Sequence, residues 1–232
     1  MIVAIMQPYF LPYIGYFNLI SSADILVVYD EIQYTKKGWI NRNRFLRNNS
    51  DAIFSIALDK ASDYSLVCHR RISNAFDRRK LISQFEGAYR KAPYYSEAIS
   101  LVESIVLHEE NSLFEYVFNS INVLCKAYKL DTRIIRSSSL ESDSRITGEE
   151  RVIDICKALG ATRYVNPPGG RELYDQKNFS RENIELKFLS PEIVEYPQLG
   201  SNFIPNLSIV DVMMFNGVVG SANKIKTEYK VL

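Results

Sequence analysis

Ile2-Val3-Ala4-Ile5-Met6, followed by Gln7-Pro8-Tyr9-Phe10-Leu11-Pro12-Tyr13-Ile14-Gly15-Tyr16-Phe17, decides the fold class. A short, wholly apolar run bounded by a breaker reads as a strand buried on both faces, and such strands belong to parallel sheets. Beyond Pro8 and Pro12 the pattern turns helical, with Ile14, Phe17, Leu19 and Ile20 on one side. Asp24-Ile25-Leu26-Val27-Val28-Tyr29-Asp30 then gives a second apolar strand. Strand, loop, helix and strand in this order make a βαβ unit. Its loops open at the carboxyl ends of the strands, where open α/β sheets place their ligands. The reading therefore puts a site at residues 7–15 and from Asp30 onward.

The residues after Asp30 sharpen that expectation. Glu31, Gln33, Tyr34, Lys36, Lys37, Asn41, Arg42, Asn43 and Arg44 crowd around Trp39, the single tryptophan of the chain. One reading is a surface hairpin whose Tyr34 and Trp39 close over the domain edge, since aromatics flanked by Lys and Arg serve structure as well. The other is a binding floor for a polar, anionic ligand, with Arg supplying forked donors and Trp a stacking face.

The chain has 232 residues, enough for one sizeable core, and residues 1–232 read as one α/β domain with a helical block at 76–130. Twenty-eight Lys and Arg stand against 27 Asp and Glu, a net charge of +1. No bulk field therefore calls for nucleic acid or an anionic membrane, and a basic site has to be local. No apolar run is long enough to cross a bilayer, and the sequence starts on a core strand rather than a leader, so the expectation is a cytoplasmic protein with no membrane span. Cys68, Cys125 and Cys156 form no CxxC pair, and Cys125 and Cys156 sit among apolar helical residues as small core side chains. With only His69 and His108, no protein-built metal site is expected.

Downstream, Asn48-Asn49-Ser50 signals a turn, residues 51–58 a third strand, and residues 41–46 its pairing partner. Residues 59–65 are loop-like, and residues 67–72 alternate weakly as a short strand or extended connection. Three helical stripes follow: Leu81, Phe85 and Tyr89; Ile99, Val102, Ile105 and Val106; then Leu113, Tyr116, Val117, Ile121, Leu124 and Tyr128. Pro93 separates the first two, and Asn111 or Ser112 caps the third. His108, beside Glu109 and Glu110, reads as a helix-end surface histidine. Residues 131–136 make the next strand, emptying into Ser137-Ser138-Ser139. Thr147 with Glu150 fits a capping box for a helix that Gly160 ends.

Residues 162–166 complete a second strand-helix-strand unit, so the architecture reads as Rossmann-like: a mostly parallel sheet flanked by helices, with the helical block in the middle. Pro167-Pro168-Gly169-Gly170 then lies on the ligand side, either as a close backbone approach or as a plain turn. Residues 184–189 read as a further strand, residues 208–215 as a short closing helix capped by Ser208, and residues 224–232 as a tail that need not be ordered.

Taken together, the Gln7 to Phe17 run, Asp30-Glu-Ile-Gln33-Tyr34, Lys37-Gly-Trp39-Ile-Asn41-Arg42-Asn43, Gly160 to Tyr164 with Pro168-Gly169-Gly170, and Asn206-Leu-Ser208-Ile-Val-Asp211 resemble the WbqC-like protein family over nearly the whole chain. That resemblance implies a role in bacterial surface polysaccharide (O-antigen, lipopolysaccharide) biosynthesis: a transferase modifying a nucleotide-linked amino sugar, by N-acyl or aminoacyl transfer. The implied partners are that sugar and an acyl or aminoacyl donor, and no cofactor is assigned. The attacking amine must lose a proton, and Asp30 is the candidate base because it ends a buried strand. Gln7, Asn41 or glycine N–H groups are candidate oxyanion donors.

Arg42, Arg44, Lys36 and Lys37 would neutralise the diphosphate, with Trp39 or Tyr34 stacking on base or sugar. Tyr9, Gly15, Gln33, Gly169 and Gly170 complete the candidate binding set. Asp30 paired to Lys37 or Arg42 as scaffold is the alternative for that residue. Cys68 beside His69 does not make a nucleophile pair, because strand neighbours point to opposite faces. Two rival functions stand beside the transferase. One is a non-catalytic scaffold in a polysaccharide assembly complex. The other is an ATP-dependent ligase, because the opening strand, Pro-containing loop and helix look like nucleotidyltransferases of the HIGH-motif superfamily. Here Tyr9, Tyr13 and Tyr16 stand where those enzymes carry histidines, and no KMSKS-like stretch follows.

Overall fold

The computed structural model describes residues 1–143, 145–200 and 202–232. Its centre is β1 (Ile2–Met6), paired in parallel with β2 (Ile25–Val28) on one side and β6 (Arg163–Asn166) on the other. Beyond β2 lies β5 (Arg133–Arg136), and beyond β6 lie β7 (Glu185–Pro191) and β8 (Tyr229–Val231). The order is β5-β2-β1-β6-β7-β8, all parallel except β8, which runs antiparallel to β7. Strand order thus reverses direction at β1: the chain first builds outward through β2 and β5, then returns to build β6 and β7 on the opposite side.

Both faces of the sheet are covered, which explains the lack of alternation in β1 and β2. Ala4, Leu26, Val28 and Val165 face one apolar layer with α1 (Ile14–Ser21), α4 (Leu113–Ala127) and α7 (Ile209–Thr227). Val3, Ile5, Ile25, Val27 and Tyr164 face the other, with Val152, Ile155 and Cys156 of α5 (Gly148–Ala158) and Phe179 of α6 (Gln176–Arg181). β1 and β2 therefore bury both sides of their pleat, and burial at ~25 cal/mol per Å² of apolar surface is the main favourable term.

The charged ribbon leads into a separate antiparallel pair, β3 (Arg42–Arg47) and β4 (Ser50–Ser55), turned by Asn48 and Asn49 at φ 52° and 61°. Asparagine tolerates the left-handed region that such tight hairpins require. Phe45 and Phe54 of the pair pack edge-on against Phe85 of α2 (Arg78–Tyr89). With α3 (Tyr95–Val106) and α4, α2 makes the expected helical block, and Ser112 caps α4 through the Glu115 N–H.

Four sequence expectations are corrected. Within residues 67–72, expected as a short strand or extended connection, Val67–His69 forms a 3-10 turn closed by His69 N to Leu66 O and Arg70 N to Val67 O, while Arg71 and Ile72 are extended and bridge to Ser112 and Leu58. Thr147 starts α5 without a side-chain cap. The closing helix does not stop at residue 215. It runs to Thr227 across a break at Gly217 (φ 67°), where Tyr94 N donates to Met214 O and Glu97 Oε2 accepts from Val218 N. The tail is ordered: Asn18, buried in α1, donates to Ile225 O at 2.8 Å, and Tyr229–Val231 closes the sheet edge as β8. Among the described residues no helix is long and apolar enough to cross a membrane.

Candidate functional site

A cavity of about 440 Å³ opens at the carboxyl edge of the sheet where the strand order reverses. That position is the general ligand crevice of open α/β sheets, and the volume suits a small molecule. Tyr9 and Tyr13 come from the loop after β1, Pro168 and Gly169 from the loop after β6, and Pro191 and Ile193 from the end of β7. Trp39, Asn43 and Arg44 reach in from the ribbon and β3, and Asn206 closes the ring. The lining is mostly apolar and aromatic. Burial raises the Tyr9 and Tyr13 hydroxyl pKa values, with Tyr13 adding to the shift at Tyr9, so both remain neutral hydrogen-bonding groups.

The aromatic floor rests on an unusual turn. Leu11 is fully buried with φ 44°, a conformation that side-chain-bearing residues adopt at a cost on the order of 1–3 kcal/mol. Its carbonyl accepts from Asn43 Nδ2 at 2.9 Å and from Ser208 Oγ at 2.7 Å. Two chain segments far away in sequence therefore clamp the residue between Tyr9 and Tyr13. Gly15 completes the arrangement, since a Cβ there would meet Tyr13 Cε2 at 2.3 Å.

The wall carrying Ile193 and Asn206 hangs on Asp211. This carboxylate is fully buried, and Oδ2 accepts from Tyr196 Oη and Gln198 Nε2, each at 2.7 Å. Gln198 Oε1 in turn accepts from Ile204 N. Oδ1 accepts from Tyr89 Oη as well; no cation compensates the charge among these partners, and burial raises the Asp211 pKa despite the three donors. Asp211 lies in the first turn of α7, where the N–H dipoles offset part of that penalty.

The sequence candidates are dispersed more widely than one pocket. Tyr9, Trp39, Arg44 and Gly169 line the cavity, and Gly15 supports it. Arg44 is spanned by Asp51 at 3.2 Å and by the Pro205 and Asn206 carbonyls. Arg42 donates to the Gly38 and Lys37 carbonyls and stacks over Trp39 at 5.5 Å. Lys36 pairs with Asp63, both exposed, and Lys37 is exposed as well. Asn41 is buried, accepting from Tyr34 Oη and donating to Ile56 O, while the Tyr34 ring lies under the Arg70 guanidinium. Gly170 is packed so closely that a Cβ would fall 1.8 Å from Asn166 Nδ2. Gln7, half-buried at the end of β1, accepts from Tyr16 Oη through its carbonyl.

Asp30 is buried and meets neither Lys37 nor Arg42. Its Oδ1 accepts from Ser137 Oγ at 2.6 Å and Ser138 N at 3.0 Å, and its Oδ2 from Ser138 Oγ at 2.5 Å. Serines that read as a plain strand exit are thus the partners of the carboxylate. A second cavity of about 530 Å³ lies on this side, lined by Gln33, Glu31, Ser137, Tyr29, Tyr174 and Arg151 among others. Sequence reasoning named Gln33 but not Arg151, whose nearly buried guanidinium bonds Ser142 and approaches Asp154 and Glu31. A lone arginine inside an amphipathic helix stripe gives no signal of this. Tyr13 and Asn206 lie in the motifs that resemble the WbqC-like family, whereas Ile193 carries no sequence signal. Among the described residues no group of His, Cys, Asp or Glu is placed to hold a metal ion.

An uncharacterized protein, Rv1507c, of Mycobacterium tuberculosis (strain ATCC 25618 / H37Rv) is 28% identical over 217 residues, covering 92% of this chain and 93% of its own. No solved structure matches. The profile of the WbqC-like protein family matches residues 7–222, and those limits take in the Tyr9 to Tyr13 loop, the Trp39 ribbon and the Asn206 to Asp211 segment alike. By that match the chain belongs to the WbqC-like protein family.

Proposed function

We propose that this protein is a transferase of bacterial surface polysaccharide (O-antigen) biosynthesis that acylates or aminoacylates the amine of a nucleotide-linked sugar. The observation that carries the reading is the aromatic cavity at the strand-order reversal, where Tyr9, Tyr13 and Trp39 offer flat apolar faces beside the polar Asn206. Sugar rings present an apolar C–H face and a polar rim, which this combination fits. Gln7 is the candidate oxyanion donor nearest the floor by sequence. Asp30, the candidate base, does not line that cavity but lies beside Ser137 of the second one, so this role requires the sugar amine to reach that side, where the exposed Ser138 hydroxyl on Oδ2 would relay the proton.

One observation favours a second reading, a binding module without chemistry: Asp30 and Asn41 are both held in buried hydrogen bonds that already serve the scaffold. The experiment is to incubate the protein with nucleotide-linked amino sugars plus acyl-CoA, or plus amino acids and ATP, and to follow the sugar by mass spectrometry. A mass increase equal to the acyl or aminoacyl group is the expected result. Saturable binding with no mass change would instead establish the binding module.

A further inference from the structure

Cavity, charge and hydrogen bonding together separate the two halves of a nucleotide sugar. A diphosphate in a protein site calls for cations with free donors or for an array of unused N–H groups. Among the described residues, Arg44 is the one charged residue lining the aromatic cavity. Its guanidinium is already engaged by Asp51 and two backbone carbonyls, so the carboxylate cancels its charge and the carbonyls fix its direction. Arg42 is turned away onto the Gly38 and Lys37 carbonyls and the Trp39 ring. Lys36 sits beside Asp63, outside the cavity.

Apart from the Asp51-paired Arg44 and the polar Asn43 and Asn206, what the described lining offers is largely flat and uncharged. Tyr9 and Tyr13 stay neutral because burial raises their pKa values, and Trp39, Pro168, Pro191 and Ile193 complete an apolar surround. Stacking on aromatic rings is not screened by salt, whereas phosphate clamping is.

We infer that recognition resides in the glycosyl ring and that the diphosphate and nucleoside project from the mouth into solvent, so that the protein is indifferent to the carrier on which the sugar arrives. This rests on the proposed sugar-modifying function and narrows it: the determinant is the uncharged ring, and any carrier attached through the anomeric oxygen is accepted.

The test is calorimetric titration with three sets of probes: UDP- and dTDP-linked amino sugars, the methyl glycosides of the same sugars, and UDP and dTDP alone. For whichever sugar binds, the methyl glycoside should bind within about threefold of the nucleotide-linked form. The nucleotides alone should give no saturable binding. Raising salt from about 50 mM to about 500 mM, which shortens the screening length several-fold, should change the affinity by less than about twofold. A nucleotide sugar that binds while its methyl glycoside does not, or a steep loss of affinity with salt, would overturn the inference and leave the proposed function standing. If neither sugar form of any probe binds, both fall together.

Discussion

Tyr89 of α2 donates to Asp211 Oδ1 of α7 at 3.0 Å, and the same hydroxyl accepts the Leu46 N–H of β3 at 2.8 Å. One phenol thus ties the helical block, the hairpin and the last helix to a buried carboxylate. Tyr89→Phe keeps the ring but leaves the Leu46 N–H and one carboxylate oxygen unpaired, so it should destabilise by about 1–3 kcal/mol. The midpoint of urea unfolding should fall while the slope stays unchanged. A midpoint equal to that of the unaltered protein would show that the hydroxyl carries no weight.

Asp211 also sets a pH dependence. Its native pKa is raised above the ordinary carboxylate value by burial, so the folded state holds the proton longer than the unfolded chain. Stability from this group is therefore fully present below the ordinary range and is lost as pH rises through the native value. Asp211→Asn should flatten that acid-side slope, measured as unfolding free energy against pH. An unchanged slope would assign it to other groups.

At alkaline pH the same sign recurs through tyrosine. Tyr16, Tyr128 and Tyr164 are fully buried, and burial raises each hydroxyl well above its ordinary value. Their stabilising contribution persists up to about pH 10 and then falls, each by roughly 1.4 kcal/mol per pH unit. Of the 15 tyrosines, the buried ones should give a final step of the ultraviolet titration, appearing together with loss of helical circular dichroism above that point.

Trp39 is 40% exposed, so Trp39→Ala should change stability by no more than about 0.5 kcal/mol. Ligand affinity should drop by about twofold to tenfold, the worth of one aromatic contact of ~0.5–1.5 kcal/mol. Arg42→Ala, which frees the ribbon from the Gly38 and Lys37 carbonyls, should weaken binding in the same way with a melting temperature within a few degrees. Collapse of the fold in either variant would show that these residues serve the scaffold first.

Gly15→Ala tests the floor itself. The new methyl would push into the Tyr13 ring, so stability should fall by about 1–3 kcal/mol and ligand binding should weaken with it. Binding retained at full strength would mean that the Tyr13 ring is free to move aside.

Much of this architecture is legible in the chain. Residues 2–6 and 24–30 read as doubly buried strands because the second apolar layer, with Val152, Ile155 and Phe179, leaves no face for polar residues. Asn48 and Asn49 announced the hairpin by their tolerance of positive φ. What escaped reading depended on partners distant in sequence. Gly217 looks like a stop, yet Tyr94 and Glu97 from α3 satisfy the backbone groups that the break exposes. The three residues of β8 carry too little pattern to announce a strand, and it is pairing with Leu189 to Pro191 that orders them. The sequence shows the charges of the cationic ribbon but not the carbonyls that Arg42 and Arg44 meet or the Asp51 carboxylate beside Arg44.

The clamp on Leu11 makes the floor a late product of folding. Asn43 lies 32 residues downstream and Ser208 lies 197 downstream, so a nascent chain has no finished site until its last helix docks. A protease cut anywhere between the floor and residue 208 would have to disable binding only if it released that helix, and bound ligand should protect such a cut site by holding both ends of the clamp in place.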